Sequence, residues 1–309
     1  MTTLTQSRTL PTTWTVVLAF AAIYLIWGST YLAALIGLES LPPFLMASLR
    51  FLSAGGLLYS WCLFRREQAV TRLAFSRNAI AGVLMLGGGT GSVIWAEQYL
   101  PTGLAAILVT TLPLWFVVLD RPQWASYRTA KLRLVGLLLG FSGILLLFSE
   151  DPAALVAPAK AAMYWPSIAV ILVGTISWAV GSLYSRYRKA PGSTILNAAV
   201  QLLAAGLFCL FVSAGLGEWT GFTITQVTVR SWVALTYAVI FGSVVAYLSY
   251  LWLLQVRPPA VVGTYAYVNP VVAVLLGWAL ANETITSRQL TSLAIILVGV
   301  LLVNRSSSR

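Results

Sequence analysis

Residues 95–113 read WAEQYLPTGLAAILVTTLP, and the chain writes their outline a second time at residues 252–270, WLLQVRPPAVVGTYAYVNP. Adding 157 to Trp95, Gln98, Pro101 and Pro113 lands on Trp252, Gln255, Pro258 and Pro270. Only these four of nineteen positions match, but they are scarce residue types inside strongly apolar surroundings. Each copy reads as the end of one helix, a turn at a proline, and a second apolar helix with another proline near its middle. Interrupted apolar segments at corresponding places in two halves point to a transport site.

Working outward, the composition names the solvent. The 309 residues are 59% hydrophobic and 9% charged, with mean hydropathy +0.86. A water-soluble domain carries about 25% charged residues, so an all-α integral membrane protein is expected. The first apolar run, 14–37, matches the ~20 residues needed to cross hydrocarbon and exceeds the 7–15-residue core of a signal peptide. Nine more spans are expected at about 43–63, 77–99, 101–119, 132–149, 165–185, 194–215, 231–254, 259–280 and 288–303. The loops are too short for a water-soluble domain, so an enzyme is not expected.

The net charge of +11 could suggest a nucleic-acid partner, but the basic residues fall in short breaks between apolar runs. Fifteen Lys and Arg lie on one set of alternate loops and tails and three on the other, with Arg50 inside the second span. Basic residues favour the cytoplasmic side, so both termini are expected there. Cys62 and Cys209 fall in apolar segments and the chain has no His. Neither a disulfide framework, a metal nor a cofactor is expected. The partners expected are a small-molecule substrate and membrane lipids, with a single chain as the favoured unit.

Five spans in each copy force the second to enter from the opposite side. The expected organisation is a cytoplasmic tail over 1–13, a first repeat over 14–149, a periplasmic linker over 150–164, a second repeat over 165–304 and a tail over 305–309. The two repeats would be related by a pseudo-two-fold axis in the membrane plane, around a central cavity. Gly28-Ser29 with Tyr31 is echoed by Gly181-Ser182 with Tyr184, and Gly143-Ile-Leu-Leu-Leu by Gly299-Val-Leu-Leu-Val.

Candidate working residues follow from what a bilayer penalises. Pro113 and Pro270 deprive the carbonyls four residues earlier of a donor, a cost tolerated where the backbone faces protein or a wet cavity. Thr110 and Thr111 beside the first, and Tyr265, Tyr267 and Asn269 beside the second, supply polar groups at that depth. Trp27 and Trp178 each lie thirteen residues into a span, away from the interfaces where tryptophan anchors, and need acceptors for their indole N–H groups. Trp95 and Trp252, near span ends, read as belt residues. Arg50 could pair with Glu97, meet a substrate carboxylate, or snorkel to headgroups. Glu97 is also the candidate proton carrier. The Gly87 to Gly91 run is not followed by Gly-Lys-Ser/Thr, which removes a phosphate loop; these glycines permit close helix approach or let the third span flex as a gate.

The string Ile26-Trp27-Gly28-Ser29-Thr30-Tyr31, the Leu49-Arg50-Phe51 string, the proline-bearing fourth and ninth spans, and Asn282-Glu283-Thr284-Ile285-Thr286 resemble EamA-type members of the drug/metabolite transporter superfamily. The resemblance implies ten helices in an inverted five-plus-five arrangement, with spans 1–4 and 6–9 around the cavity and spans 5 and 10 outside. It also implies export of amino acids or other metabolites from the bacterial cytoplasm, across the inner membrane. The abundance of aromatic side chains is similar to that of YddG-like aromatic amino-acid exporters. Two departures stand out: the first half has no acid between Pro122 and Lys131 to match Glu283, and span one lacks the glutamate of the four-helix multidrug relatives. The residues expected to touch cargo are Trp27, Tyr31, Arg50, Thr111, Trp178, Tyr265, Tyr267 and Asn269. The alternative is efflux of multiple drugs or lipophilic cations, held by cation–π contacts.

Overall fold

The computed structural model describes residues 12–100, 102–147, 162–281 and 287–305. Within them the chain is helical, and its helices group into ten spans. Spans one and two are single helices, α1 (Thr13–Gly37) and α2 (Pro43–Phe64). Span three joins α3 (Arg72–Gly82) and α4 (Gly91–Ala96), and span four joins α5 (Thr102–Val109) and α6 (Leu112–Leu119). A short α7 (Trp124–Thr129) leads to span five, α8 (Lys131–Leu147). Spans six and seven are α9 (Tyr164–Tyr187) and α10 (Thr194–Gly215). Span eight joins α11 (Val229–Tyr237) and α12 (Tyr247–Val256), span nine joins α13 (Pro259–Val262) and α14 (Tyr265–Ala281), and span ten is α15 (Ser287–Arg305).

Helix starts are written locally. Hydroxyls of Thr12, Thr71, Ser193 and Thr228 accept from the backbone N–H three residues on, satisfying one of the orphan donors of a first turn. Pro43 and Pro259 sit at helix starts, where a missing N–H removes nothing the helix would have used.

The packing exchanges the halves. Span two packs on span seven, and span five on span ten; span one packs on eight and nine just as span six packs on three and four. Each of these pairings maps onto itself or onto another of them when the halves are swapped, as an inverted repeat requires. The fold is therefore ten helices in two inverted five-helix repeats around a central cavity. Spans five and ten stand outside the cavity, pressed together through small residues: a Cβ on Gly299 would lie 2.6 Å from the Gly140 nitrogen. With no hydrophobic drive between helices in lipid, such close backbone approach is what holds a pair.

Cross-links show the alternation of the faces. On the face where α1 begins and α15 ends, hereafter the terminal face, Arg77 Nη1 donates to the Lys189 carbonyl at 2.7 Å and Ser193 Oγ to Glu67 at 2.6 Å. On the opposite face the Glu218 carboxylate accepts from the N–H groups of Phe44 and Leu45, capping α2, and Arg230 meets Glu39 at 3.4 Å.

Spans three and eight depart from the regular α-helices the sequence suggests. Each contains a π-helical stretch, Val83–Thr90 and Ala238–Ala246, at nearly corresponding places in the two halves. A π turn carries an extra residue and loosens the carbonyl ladder, and such stretches mark functional sites. Side chains from the facing half fill the gap: Ser177 of span six donates to Leu84 O at 2.8 Å, and Trp27 of span one donates to Gly242 O at 3.0 Å.

The proline-bearing spans are corrected in detail. Pro113 does not kink a continuous helix: span four stops after Val109, turns at Thr110-Thr111, and restarts with Pro113 in the first turn of α6. Span nine breaks earlier, at Gly263-Thr264, and α14 then runs through Pro270. The prolines repeat, but the breaks stand at different registers. At this break the Thr264 hydroxyl donates back to Val261 O at 2.7 Å and pairs with Tyr24 of span one at 2.8 Å.

Candidate functional site

A cavity of about 760 Å³, counted with its mouth, lies between the halves, lined from spans one, two, three, four, six, eight and nine. It runs from the middle of the bundle, at Trp27, Trp178 and Tyr265, toward the face opposite the termini, at Ala34, Arg50 and Glu97.

The floor is aromatic. Trp27 and Trp178, equivalent residues of the two repeats, meet edge to face with centroids 5.6 Å apart. Tyr265 stands 4.6 Å from Trp27, and Tyr250 closes the group 5.8 Å from Tyr265 and 5.4 Å from Trp178. Such geometry suits ring quadrupoles. Both indoles have their acceptors: Trp27 Nε1 reaches Gly242 O, and Trp178 Nε1 reaches the Tyr250 hydroxyl at 2.8 Å, which also pairs with Ser182 at 2.6 Å. The cavity ends at this cluster on the side of the terminal face.

The upper part is polar and unbalanced. Arg50 is 6% exposed and donates from Nε to Ser243 Oγ at 2.8 Å, so it neither snorkels nor stays in its own half. Glu97, also 6% exposed, caps the end of α4, and neither of its oxygens has a hydrogen-bond partner. Both line the cavity, yet among the described residues they form no ion pair within 4.0 Å. Buried Asn269 adds a third unpartnered acceptor, its Oδ1. Buried polar atoms are ordinarily satisfied, and here three acceptor atoms, on Glu97 and Asn269, belong to residues that line one cavity and have no partner.

The remaining candidates divide. Tyr31, Trp178, Tyr265 and Asn269 line the cavity with Trp27, Arg50 and Glu97. Tyr267 does not: it is fully buried toward span five, packs on Gly140, and donates to Leu137 O at 3.1 Å. Two residues on from Tyr265 along a helix, it necessarily faces another way. Thr111 is turned onto its own backbone, donating to Leu108 O at 2.7 Å and accepting from Trp115; Thr175, 3.5 Å away, lines the cavity in its place. Gly87 and Gly91 face Phe208 of span seven and Phe44 of span two, and neither they nor the two prolines border the cavity. Glu283 lies outside the described residues. Tyr247, Tyr250 and Ser243 are cavity or floor residues that sequence reasoning passed over; the Tyr247/Tyr250 pair, three apart on one helix face, is the signal that could have found them.

Comparison with known proteins agrees with this architecture. The model of the EamA-like transporter family matches twice, at residues 13–149 and 165–305. The chain belongs to the EamA-like transporter family. The uncharacterized inner membrane transporter YedA of Escherichia coli (strain K12) is 38% identical over 287 residues, covering 92% of this chain and 89% of that protein. The uncharacterized transporter YvbV of Bacillus subtilis (strain 168) is 25% identical over 97% of this chain and 94% of its own length. Protein PecM of Dickeya dadantii (strain 3937) is 28% identical over 90% and 88%. A solved crystal structure superposes with TM-score 0.75 at 19% identity, over 96% of this chain and 99% of that one, and shows the same fold. This EamA-like protein is a multi-pass inner-membrane transporter. Within the described residues no group of three or more His, Cys, Asp or Glu is placed to hold a metal.

Proposed function

We propose that the protein exports small zwitterionic metabolites, foremost amino acids with apolar or aromatic side chains, by alternating access. The observation that carries this reading is the cavity's charge layout: a buried guanidinium and a buried, unpartnered carboxylate share one space without pairing. A cargo carboxylate would answer Arg50, its ammonium would answer Glu97 and Asn269 Oδ1, and its side chain would lie on Trp27, Trp178 and Tyr265. Buried intramembrane charges call for partners, and a zwitterion supplies both at once. A lipophilic cation satisfies Glu97 and the aromatic faces but leaves Arg50 facing a like charge, so this alternative is the weaker one.

The excess of Lys and Arg on the terminal face supports a cytoplasmic position for it. The cavity then opens to the periplasm, and the aromatic floor is the closed cytoplasmic gate. The unit is one chain in lipid, without enzymatic activity, nucleic acid or cofactor. Glu97 is the group suited to carry a proton inward between cargo cycles.

Counterflow in proteoliposomes with a panel of the twenty amino acids tests the reading. Exchange of at least one apolar amino acid, reduced several-fold by Trp27→Ala or Tyr265→Ala in folded protein, is the expected result. No amino-acid exchange by the wild type would sink it, and unchanged exchange in both variants would remove the floor from the site.

A further inference from the structure

A second pocket, of about 800 Å³, opens among the helix ends of the terminal face. Arg77, Arg186, Arg188 and Lys189 line it, and no Asp or Glu does. Positive loops on this face orient the chain, but orientation requires only that the charges be on the face. Here four line one concavity, together with Asn78, Asn197 and Gln201. Arg77 Nη1 is given to the Lys189 carbonyl and Arg186 Nη1 to those of Leu254 and Arg257, so the exposed Arg188 and Lys189 are the charges offered to a ligand. Two acids on this face are engaged elsewhere and do not line the pocket: Glu67 accepts from Ser193 Oγ at the start of α10, and Asp120 from the Tyr127 and Tyr187 hydroxyls.

The back wall of this pocket is also the wall of the transport cavity. Tyr247, which lines the cavity, donates to Gln201 Oε1 at 2.5 Å; Gln201 Nε2 donates to Asn78 Oδ1 at 2.8 Å, and Asn78 Nδ2 to Asn197 Oδ1 at 2.7 Å. Gln201 occupies in α10 the place that Arg50 occupies in α2, each seven residues past the first helical residue. The pocket is thus the inverted-repeat counterpart of the charged corner of the open cavity.

We propose that this pocket is an oxyanion-binding site, the vestibule through which an anionic group enters from the terminal face, parted from the main cavity by the Tyr247–Gln201 hydrogen bond. Its ligand is a carboxylate on a soluble metabolite or the phosphate of a lipid headgroup, which share the same chemistry toward Arg and Lys. The vestibule role rests on the transport reading above; anion binding does not.

Citrate is the probe, titrated calorimetrically into detergent-solubilised full-length protein at low ionic strength. Wild type should show one saturable site, weakened at least tenfold in Arg188→Gln/Lys189→Gln. Those two side chains are exposed and their removal leaves the helix packing intact. Absence of saturable binding, or equal binding by both proteins, overturns the site. Displacement of citrate by phosphatidylglycerol in mixed micelles assigns the site to a headgroup; failure to displace assigns it to a soluble anion. In proteoliposomes of known orientation, the double variant should raise KM severalfold for entry from the terminal face and leave KM from the opposite face unchanged. An unchanged KM on both faces overturns the vestibule role, while loss of amino-acid flux in the wild type would instead count against the proposed cargo.

Discussion

Neutralising Arg50 and Glu97 one at a time, and matching each variant with a cargo lacking one charge, isolates what each residue grips. Hydrogen bonds to a charged group contribute about 1.5–3 kcal/mol each, equivalent to roughly 10- to 150-fold in affinity. Arg50→Gln should therefore raise the KM of a transported amino acid by that factor, and Glu97→Gln should do likewise. The decisive measurement is with analogues. Wild type should discriminate against the methyl ester, which lacks the carboxylate, by a similar factor; Arg50→Gln should lose that discrimination and retain the preference for a free over an acetylated amine. Glu97→Gln should show the reverse. Direct attraction between the two side chains is limited by their separation: beyond 4.0 Å, an effective dielectric of about 20 keeps it under ~4 kcal/mol, and no hydrogen bond joins them. If the ester penalty persists undiminished in Arg50→Gln, or both variants penalise every analogue alike, the two residues do not hold opposite ends of one cargo.

Tyr250→Phe removes the acceptor of the Trp178 indole and the partner of Ser182. An orphaned buried donor costs about 1–3 kcal/mol, borne by the conformer closed on the terminal face. A Thr175→Cys reporter should then label more readily from that face with a membrane-impermeant maleimide; unchanged labelling would mean the cluster is no gate. Tyr267→Phe loses one hydrogen bond, to Leu137 O, and should lower stability by about 1 kcal/mol while leaving KM unchanged, since the residue points away from the cavity; a raised KM would return it to the site. Gly299→Ala forces spans five and ten apart and should cost about 1–3 kcal/mol by overpacking, read as a lower unfolding temperature in detergent. An unaltered melting curve would show that the pair is not close-packed in the bilayer.

What could be read before folding was whatever a membrane imposes on a chain position by position. Hydropathy marks spans because backbone in hydrocarbon must bond to itself, and an odd number of spans per copy dictates inversion. Trp27 and Trp178 were legible as a pair because mid-depth indoles are costly without acceptors. What remained hidden depended on which side of a helix faces inward. Tyr265 and Tyr267 look alike in sequence, yet helical geometry turns one into the cavity and the other onto Gly140. The recurring prolines were visible, but the breaks themselves fall at Thr110-Thr111 and Gly263-Thr264, at different registers in the two halves, which the proline spacing does not reveal. Of the paired π-helical stretches only the first was hinted at, by the glycine run at 87–89; the donors that meet their carbonyls, Ser177 and Trp27, come from the opposite half. Membrane insertion and pseudo-symmetry were thus properties of the sequence itself; the meeting of Arg50 with Ser243 across 193 residues, and the loneliness of Glu97 beside it, are products of tertiary packing alone, since only folding decides which buried charge finds a neighbour.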